Sequence, residues 1–301
     1  MVTAIKFSII LPTFNRAHMI HLAIESVLNQ TYKDLELIII DDGSTDKTKD
    51  IIDKYIEKDN RVKYLHQKNK ERSAARNKGI KEAIGDWICF LDSDDIYHTN
   101  HLEEFKNLIK KTDSKRGLYF SGLSYGKYSE SKEQYDLSHK NNIEFVLLNT
   151  IGTPRACVHK SIILKHQFNE KIRIGEDREL WSRILKNHPL YWHNKKTFIE
   201  IEHPNRSVNL GTEIENLKTL KLILKSKKNI RKTVKNKVLS NAYFKISKSK
   251  IKANKIIIAG YYIVLSLIYC LKHEQTRHKL MLLIAIYAAP NSHLVKGYKK
   301  H

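Results

Sequence analysis

Cysteine is scarce. Cys89, Cys157 and Cys270 are the three in 301 residues, with no CxxC pair and no metal-like spacing. An odd, unpatterned set suggests structural thiols in a reducing compartment. A glycine-rich GxGxxG turn is also absent, which argues against a dehydrogenase. No apolar run reaches the roughly 20 residues that a membrane-crossing helix wants. The longest candidate, IIIAGYYIVLSLIYCL at 256–271, has sixteen and is expected to insert at an interface if it meets a membrane at all. The first apolar stretch, Phe7 to Leu11 before Pro12, is too short for the core of a signal peptide. The expectation is a cytoplasmic protein whose sequon Asn29-Gln30-Thr31 carries no glycan.

Acid is missing from one region. Residues 216–301 hold 20 Lys and Arg against a single acid, Glu274, a net charge of +19, whereas residues 1–215 hold 34 basic and 31 acidic residues, a net of +3. This shift predicts a boundary between a nearly neutral domain, 1–215, and a basic helical region, 216–301. Anionic membrane surfaces, nucleic acid and plain solvent could all receive such a region. No recognised nucleic-acid module is present, and a polybasic stretch beside apolar helices fits an anionic membrane surface.

What is present in the first hundred residues is alternation. IKFSIIL (5–11), LELIIID (35–41), RVKYLHQ (61–67) and DWICFLD (86–92) read as strands, the second nearly all apolar as a strand covered on both faces should be. Between them, 17–30, 44–58 and 73–84 read as helices. Strand–helix alternation predicts an α/β, doubly wound parallel sheet, with ligands beyond the carboxyl ends of its strands. Residues 99–112 and 176–187 read as further helices and 117–125 as a strand.

The acids fall at those strand ends. Asp41 and Asp42 close one strand; Asp92, Asp94 and Asp95 crowd the end of another. Read alone, the first pair fits either a strand–turn–helix connection capped by Ser44 or Thr45, or a pocket that accepts a base or ribose hydrogen bond. The second cluster fits either a helix N-cap or a site where a hard divalent cation offsets like charges. The pair Glu176-Asp177, which opens a helical pattern, fits either the helix dipole or a general base.

Order and spacing of SIILPTFNR, SVLNQTY, LELIIIDDGSTDKT, SAARNKGI and GDWICFLDSDD resemble the family 2 glycosyltransferases of the A-type fold. The resemblance is specific from about residue 6 to 97 and weaker to about 210. It implies a mixed, mostly parallel Rossmann-like sheet and an inverting transferase of the hexosyl or N-acetylhexosaminyl class that depends on Mn²⁺ or Mg²⁺. It implies that Pro12, Thr13, Asn15 and Arg16 form a first loop over the nucleotide of a UDP-sugar and that Asp42 contacts the uracil. Arg76 would lie near base and diphosphate, Asp92 near the ribose with Ser93 beside it, and Asp94 on the metal. Asp95 would cap or support.

By the same resemblance Asp177 would be the general base, with Glu176 as the alternative, and Arg206 a diphosphate contact; His203 fits either a further metal or diphosphate contact or a surface histidine, and Trp181, at helical spacing from Ile184, fits core packing or an aromatic under a sugar ring. One departure stands out: many relatives carry a glycine shortly before SAARN, where this chain has Lys70-Glu71-Arg72. The implied partners are a nucleotide-sugar donor, a glycan or lipid-linked acceptor and, through the basic region, the inner face of the cell membrane, with no nucleic acid. A non-catalytic binding protein of this fold and a nucleotidyltransferase are the alternatives. The first is disfavoured by the full set of acids, the second by LPTFNRAH, which is not a glycine-rich basic phosphate loop.

Overall fold

A computed structural model describes residues 5–125, 140–201, 212–227, 229–270, 276–288 and Val295. The chain divides into two compact units, one of residues 1–136 with 149–204, the other of residues 137–148 with 205–301.

The first unit is built on an eight-stranded sheet. In chain order its elements are β1 (Phe7–Thr13), α1 (Ile20–Leu28), β2 (Leu35–Asp41), α2 (Thr48–Ile56), β3 (Val62–His66), α3 (Glu71–Glu82), β4 (Trp87–Phe90), β5 (Asp95–Tyr97), α4 (His101–Lys111) and β6 (Leu118–Tyr125). After α5 (Asn142–Leu148), which belongs to the second unit, come β7 (Ala156–His159), α6 (Lys160–Ile163), α7 (Glu176–Ile184) and β8 (Leu190–Glu200). The strand order is β3-β2-β1-β4-β7-β6-β8-β5. Strands β3, β2, β1 and β4 run parallel, β7 is antiparallel to both β4 and β6, and β8 is parallel to β6 and antiparallel to β5.

The all-apolar strands are buried on both faces, as their composition requires: Phe7, Ile9, Ile10, Leu11, Leu37, Ile38, Ile39 and Ile40 have no exposed surface. Helix α3 lies close on this sheet because residue 79 has no side chain; a Cβ there would stand 2.6 Å from Ile40 Cδ1 and 2.7 Å from Ile10 Cγ2. Thr13 pairs with Asp41 and Ile10 with Phe90 in parallel register, so the chain leaves β1, β2 and β4 at one edge of the sheet. Helix α2 begins at Thr48, four residues later than Ser44, where the sequence predicts it. The reason is that Ser44 and Thr45 are engaged elsewhere, as described below.

The second unit is helical: α5 with α8 (Thr212–Ser226), α9 (Lys232–Lys252), α10 (Ile256–Tyr269) and α11 (Thr276–Ala288). Leu217, Leu220, Ile223, Val234, Val238 and Tyr243 share one core with Leu147 of α5. Buried Glu144 of α5 accepts hydrogen bonds from the Arg231 guanidinium, at 2.6 Å from Nη2 to Oε2, and from the Arg231 backbone N–H. A second core gathers Phe244, Ile251, Ala259, Ile263, Leu267, Leu282 and Ile286. Among the described residues no helix is long and apolar enough to cross a membrane.

Candidate active site

The loops after β1 and β2 are stitched to each other. Asn15 sits in the left-handed region at φ 52°, a conformation asparagine tolerates better than most residues. Its Oδ1 accepts from the Thr45 N–H at 2.8 Å, and its own N–H donates to Ser44 Oγ at 2.9 Å. The Arg16 N–H donates to Thr48 Oγ1 and the Ala17 N–H to Asp46 Oδ2. Ser44 and Thr45 are therefore staples between loops and not helix caps, which corrects that reading of the turn. Burial works against the Asp46 carboxylate, but the bonds from Thr48 and from the Ala17 N–H outweigh it and hold its pKa below the ordinary value.

The two acids that end β2 divide the labour. Asp41 is structural: Oδ1 accepts from the Ser44 N–H at 2.8 Å and Oδ2 from the Tyr64 hydroxyl at 3.0 Å. Asp42, also buried, has its Oδ1 held by Gln67 Nε2 at 2.7 Å and by the Lys70 N–H at 2.8 Å. Beside them Pro12 and Thr13 are buried in β1, and the Thr13 hydroxyl has no hydrogen-bond partner among the described residues. A buried orphan hydroxyl costs about 1–3 kcal/mol unless something meets it. Here it lies at the edge where the sequence places a nucleotide.

The acids after β4 have guanidinium groups beside them. Arg76, fully buried on α3, donates from Nη2 to Asp92 Oδ1 at 2.7 Å and from Nη1 to Glu176 Oε1 at 2.9 Å. Its ring neighbour is Phe168, 5.4 Å from the guanidinium carbon. Both of these Arg76 hydrogen bonds go to protein carboxylates. Arg16 Nη2 stands 3.7 Å from Asp94 Oδ2. Asp95 opens β5, and its Oδ1 accepts the Ile201 N–H at 3.1 Å, so it supports the sheet margin and caps no helix. Ser93, between the two outer acids, is buried.

The pair that opens α7 is also divided. Glu176 is buried and bound by two guanidinium groups, Arg76 and, at 3.1 Å, Arg72. Asp177 is more open, and its side chain accepts the Arg178 N–H at 2.6 Å. Loss of water around Asp177 and the neighbouring Glu176 charge raise its pKa to about 6, against the opposing pull of Arg178 and Arg76. A carboxyl poised there can take a proton near neutral pH. The loop before α7 is fixed by α3: Asn77 donates to the Phe168 carbonyl at 3.0 Å and accepts the Phe168 N–H at 2.9 Å, and Arg72 donates to the Arg173 carbonyl. Trp181 is buried, donating to the Ile151 carbonyl at 2.9 Å, which is packing.

Asp92 and Asp94 keep 32% and 17% of their side chains exposed. Two hard oxygen donors, one residue apart at a strand end, fit Mg²⁺ or Mn²⁺, which take one or two carboxylates and complete their shell with phosphate and water. No cluster of three or more metal-type side chains occurs among the described residues. His203 and Arg206 lie outside the described residues. Sequence reading missed Gln67, Arg72 and Asn77. Arg72 had a signal, because it sits four residues before Arg76 on the same helix face.

The profile described as "Glycosyl transferase family 2" matches residues 8–164. A protein of Rickettsia felis named only as an uncharacterized glycosyltransferase is 37% identical over 191 residues, 62% of this chain and 31% of the relative. The chain thus spans about a third of the length of that relative. A Campylobacter jejuni protein named GalNAc(5)-diNAcBac-PP-undecaprenol beta-1,3-glucosyltransferase is 30% identical over 220 residues, 68% of each chain. Among solved structures, Staphylococcus aureus TarS 1-349 in complex with UDP-GlcNAc superposes with a TM-score of 0.64 at 20% identity, over 98% of this chain and 88% of that one, a likeness of fold. The chain belongs to glycosyl transferase family 2, and its mixed, mostly parallel sheet with a helical carboxyl-terminal region is the A-type arrangement.

Proposed function

We propose that this family 2 member moves a hexosyl or N-acetylhexosaminyl group from a nucleotide-diphospho-sugar, a UDP-sugar, to a hydroxyl of a glycan or lipid-linked acceptor, with inversion. The observation that carries the reading is the Arg76 bridge. It ties Asp92, at the nucleotide end of the sheet, to Glu176 beside Asp177, so one buried guanidinium fixes a donor-side acid and an acceptor-side acid together.

On this reading Pro12, Thr13, Asn15 and Arg16 wall the nucleotide, with the Thr13 hydroxyl finding its partner there. Asp42 accepts from the base, Asp92 and Ser93 lie along the ribose, Asp94 would hold the divalent ion with His203 as a further contact, and Arg206 would reach the diphosphate. Bound Mn²⁺ or Mg²⁺ would neutralise charge that develops on the leaving diphosphate. Asp177 accepts the proton of the acceptor hydroxyl as its oxygen bonds to the anomeric carbon. The bond from that carbon to the diphosphate oxygen breaks, and its electron pair leaves with the nucleotide. Glu176, committed to Arg72 and Arg76, is the weaker candidate for the base.

The basic composition of 216–301 and the lipid-linked glycan in the Campylobacter relative's name support an acceptor in a membrane. The protein would then be peripheral at the cytoplasmic, inner face of the cell membrane, with residues 1–215 as the catalytic part. A panel of nucleotide-sugars with Mn²⁺ or Mg²⁺, scored by hydrolysis and by thermal shift, tests the reading. A UDP-sugar should be hydrolysed and its diphosphate should stabilise the protein only with metal. No stabilisation by any nucleotide diphosphate would refute it.

A further inference from the structure

The second unit carries an apolar surface that its own fold does not use. Helices α10 and α11 turn Ala259, Ile263, Leu267, Leu282 and Ile286 inward. A polar knot pins them to α9: Ser240 and Ser266 exchange hydroxyl-to-carbonyl hydrogen bonds at 2.7 Å, and buried Lys279 donates to Ser240 Oγ at 2.8 Å. The opposite faces are bare. On α10, Ile257 is 78% and Ile268 67% exposed, with Tyr261 and Val264 between them at spacings of four, three and four. On α11, Leu280, Met281, Ile284 and Tyr287 are exposed along one face, Leu280, Ile284 and Tyr287 at spacings of four and three, with Ile284 at 64%. The two stripes adjoin, because the Tyr287 ring lies across residue 260: a Cβ there would stand 2.9 Å from Tyr287 Cε2.

Scattered exposed apolar residues need no explanation, whereas a contiguous stripe on paired helices marks a contact surface. Its surroundings indicate the occupant. Lys252 and Lys255 are exposed in the turn that leads into α10, and Arg277 is exposed at the start of α11. The region 216–301 carries +19 in all, so a second copy would bring a repelling charge to the same place. An anionic lipid surface satisfies both features, with acyl chains for the isoleucines and headgroups for the lysines and arginine. Helix α10, at 14 residues, is about 21 Å long and falls short of the roughly 30 Å hydrocarbon core. It can lie in the interface and cannot cross it.

We infer that the exposed stripes of α10 and α11 form a docking face for an anionic lipid bilayer, lying flat at the headgroup boundary. The surface stands on exposure and charge in the second unit. It gives the membrane association offered above its residues, and it does not depend on the transfer chemistry.

The test spins the full chain with vesicles of phosphatidylcholine alone and with vesicles containing phosphatidylglycerol. The wild type should pellet with the anionic vesicles. The combined variant Ile257→Ser, Ile268→Ser, Ile284→Ser should bind at least about tenfold more weakly. Lys255→Glu with Arg277→Glu should lose the preference for anionic vesicles. Both should keep wild-type thermal unfolding and wild-type hydrolysis of the nucleotide-sugar, since every substituted residue belongs to the second unit and is exposed. Wild type left in the supernatant, or a triple variant that pellets like wild type, overturns the proposal. So does a wild-type dimer in size exclusion that the triple variant dissociates, which would assign the face to a second copy. Donor hydrolysis is read on the same samples, so failure of the docking face and failure of the transferase reading are separable.

Discussion

Glu36 at one end of the sheet and Asp92, Asp94 and Asp177 near the other are carboxylates treated in opposite ways. At the amino-terminal end of β2, Glu36 is closed in by Ser8, the Lys63 ammonium and the N–H groups of Ile84 and Gly85. Burial alone would raise its pKa, but those bonds outweigh the desolvation and hold it below the ordinary range. At the carboxyl-terminal end, Asp92 and Asp94 have guanidinium neighbours yet keep exposed surface, and Asp177 is pushed the other way, to about 6. The residue type is shared and the degree of closure differs. A carboxylate whose partners are all supplied by the fold is a strut; one left open or raised is available to a ligand or a proton.

That contrast can be broken at either end. The largest effect is expected from Asp177→Asn, which should lower transfer by about 10²–10⁴-fold while leaving nucleotide binding intact, read by single-turnover assay and calorimetry. The same base must be ionised to work, so kcat should fall below about pH 6 and level off above it. Glu176→Gln removes the neighbouring negative charge and should move that limb to lower pH. Next comes Arg76→Gln. It takes the guanidinium from partly exposed Asp92 and leaves buried Glu176 with Arg72 alone, and should cost about 3 kcal/mol in chemical denaturation. At the closed end Glu36→Ala should cost about 1–3 kcal/mol, by leaving the Ile84 N–H and the Ser8 hydroxyl proton unmet, with kcat unchanged. The smallest effect is a gain. Glu71 sits at φ 70°, in the left-handed region that a glycine adopts without strain. Glu71→Gly should therefore raise stability by about 1 kcal/mol in the same assay.

The strand–helix alternation and the edge that bears the acids were legible, because apolar runs and their periods are local properties. The family was legible from five short motifs in order. Contacts formed by distant segments were not. Nothing in SAARN says that Arg76 will be consumed by Asp92 and Glu176, sixteen and a hundred residues away. The turn GSTD looked like a cap because Ser and Thr favour caps, but the loop after β1 competes for the same hydroxyls and wins. Nor does the sequence join helix α5 to its partner Arg231, which lies 87 residues on with no local pattern between them. Glu176 and Asp177 could not be ranked as neighbours in sequence; burial and two guanidinium groups separate them in space.

The central claim is that the carboxyl-terminal edge of the sheet is a metal-assisted site for a nucleotide diphosphate. Titrating UDP into the full chain with and without Mn²⁺, in the wild type and in Asp94→Ala, tests it most directly. The account predicts binding that requires the metal in the wild type and is lost in Asp94→Ala. UDP affinity that is the same with and without metal, or unchanged by the substitution, would contradict it.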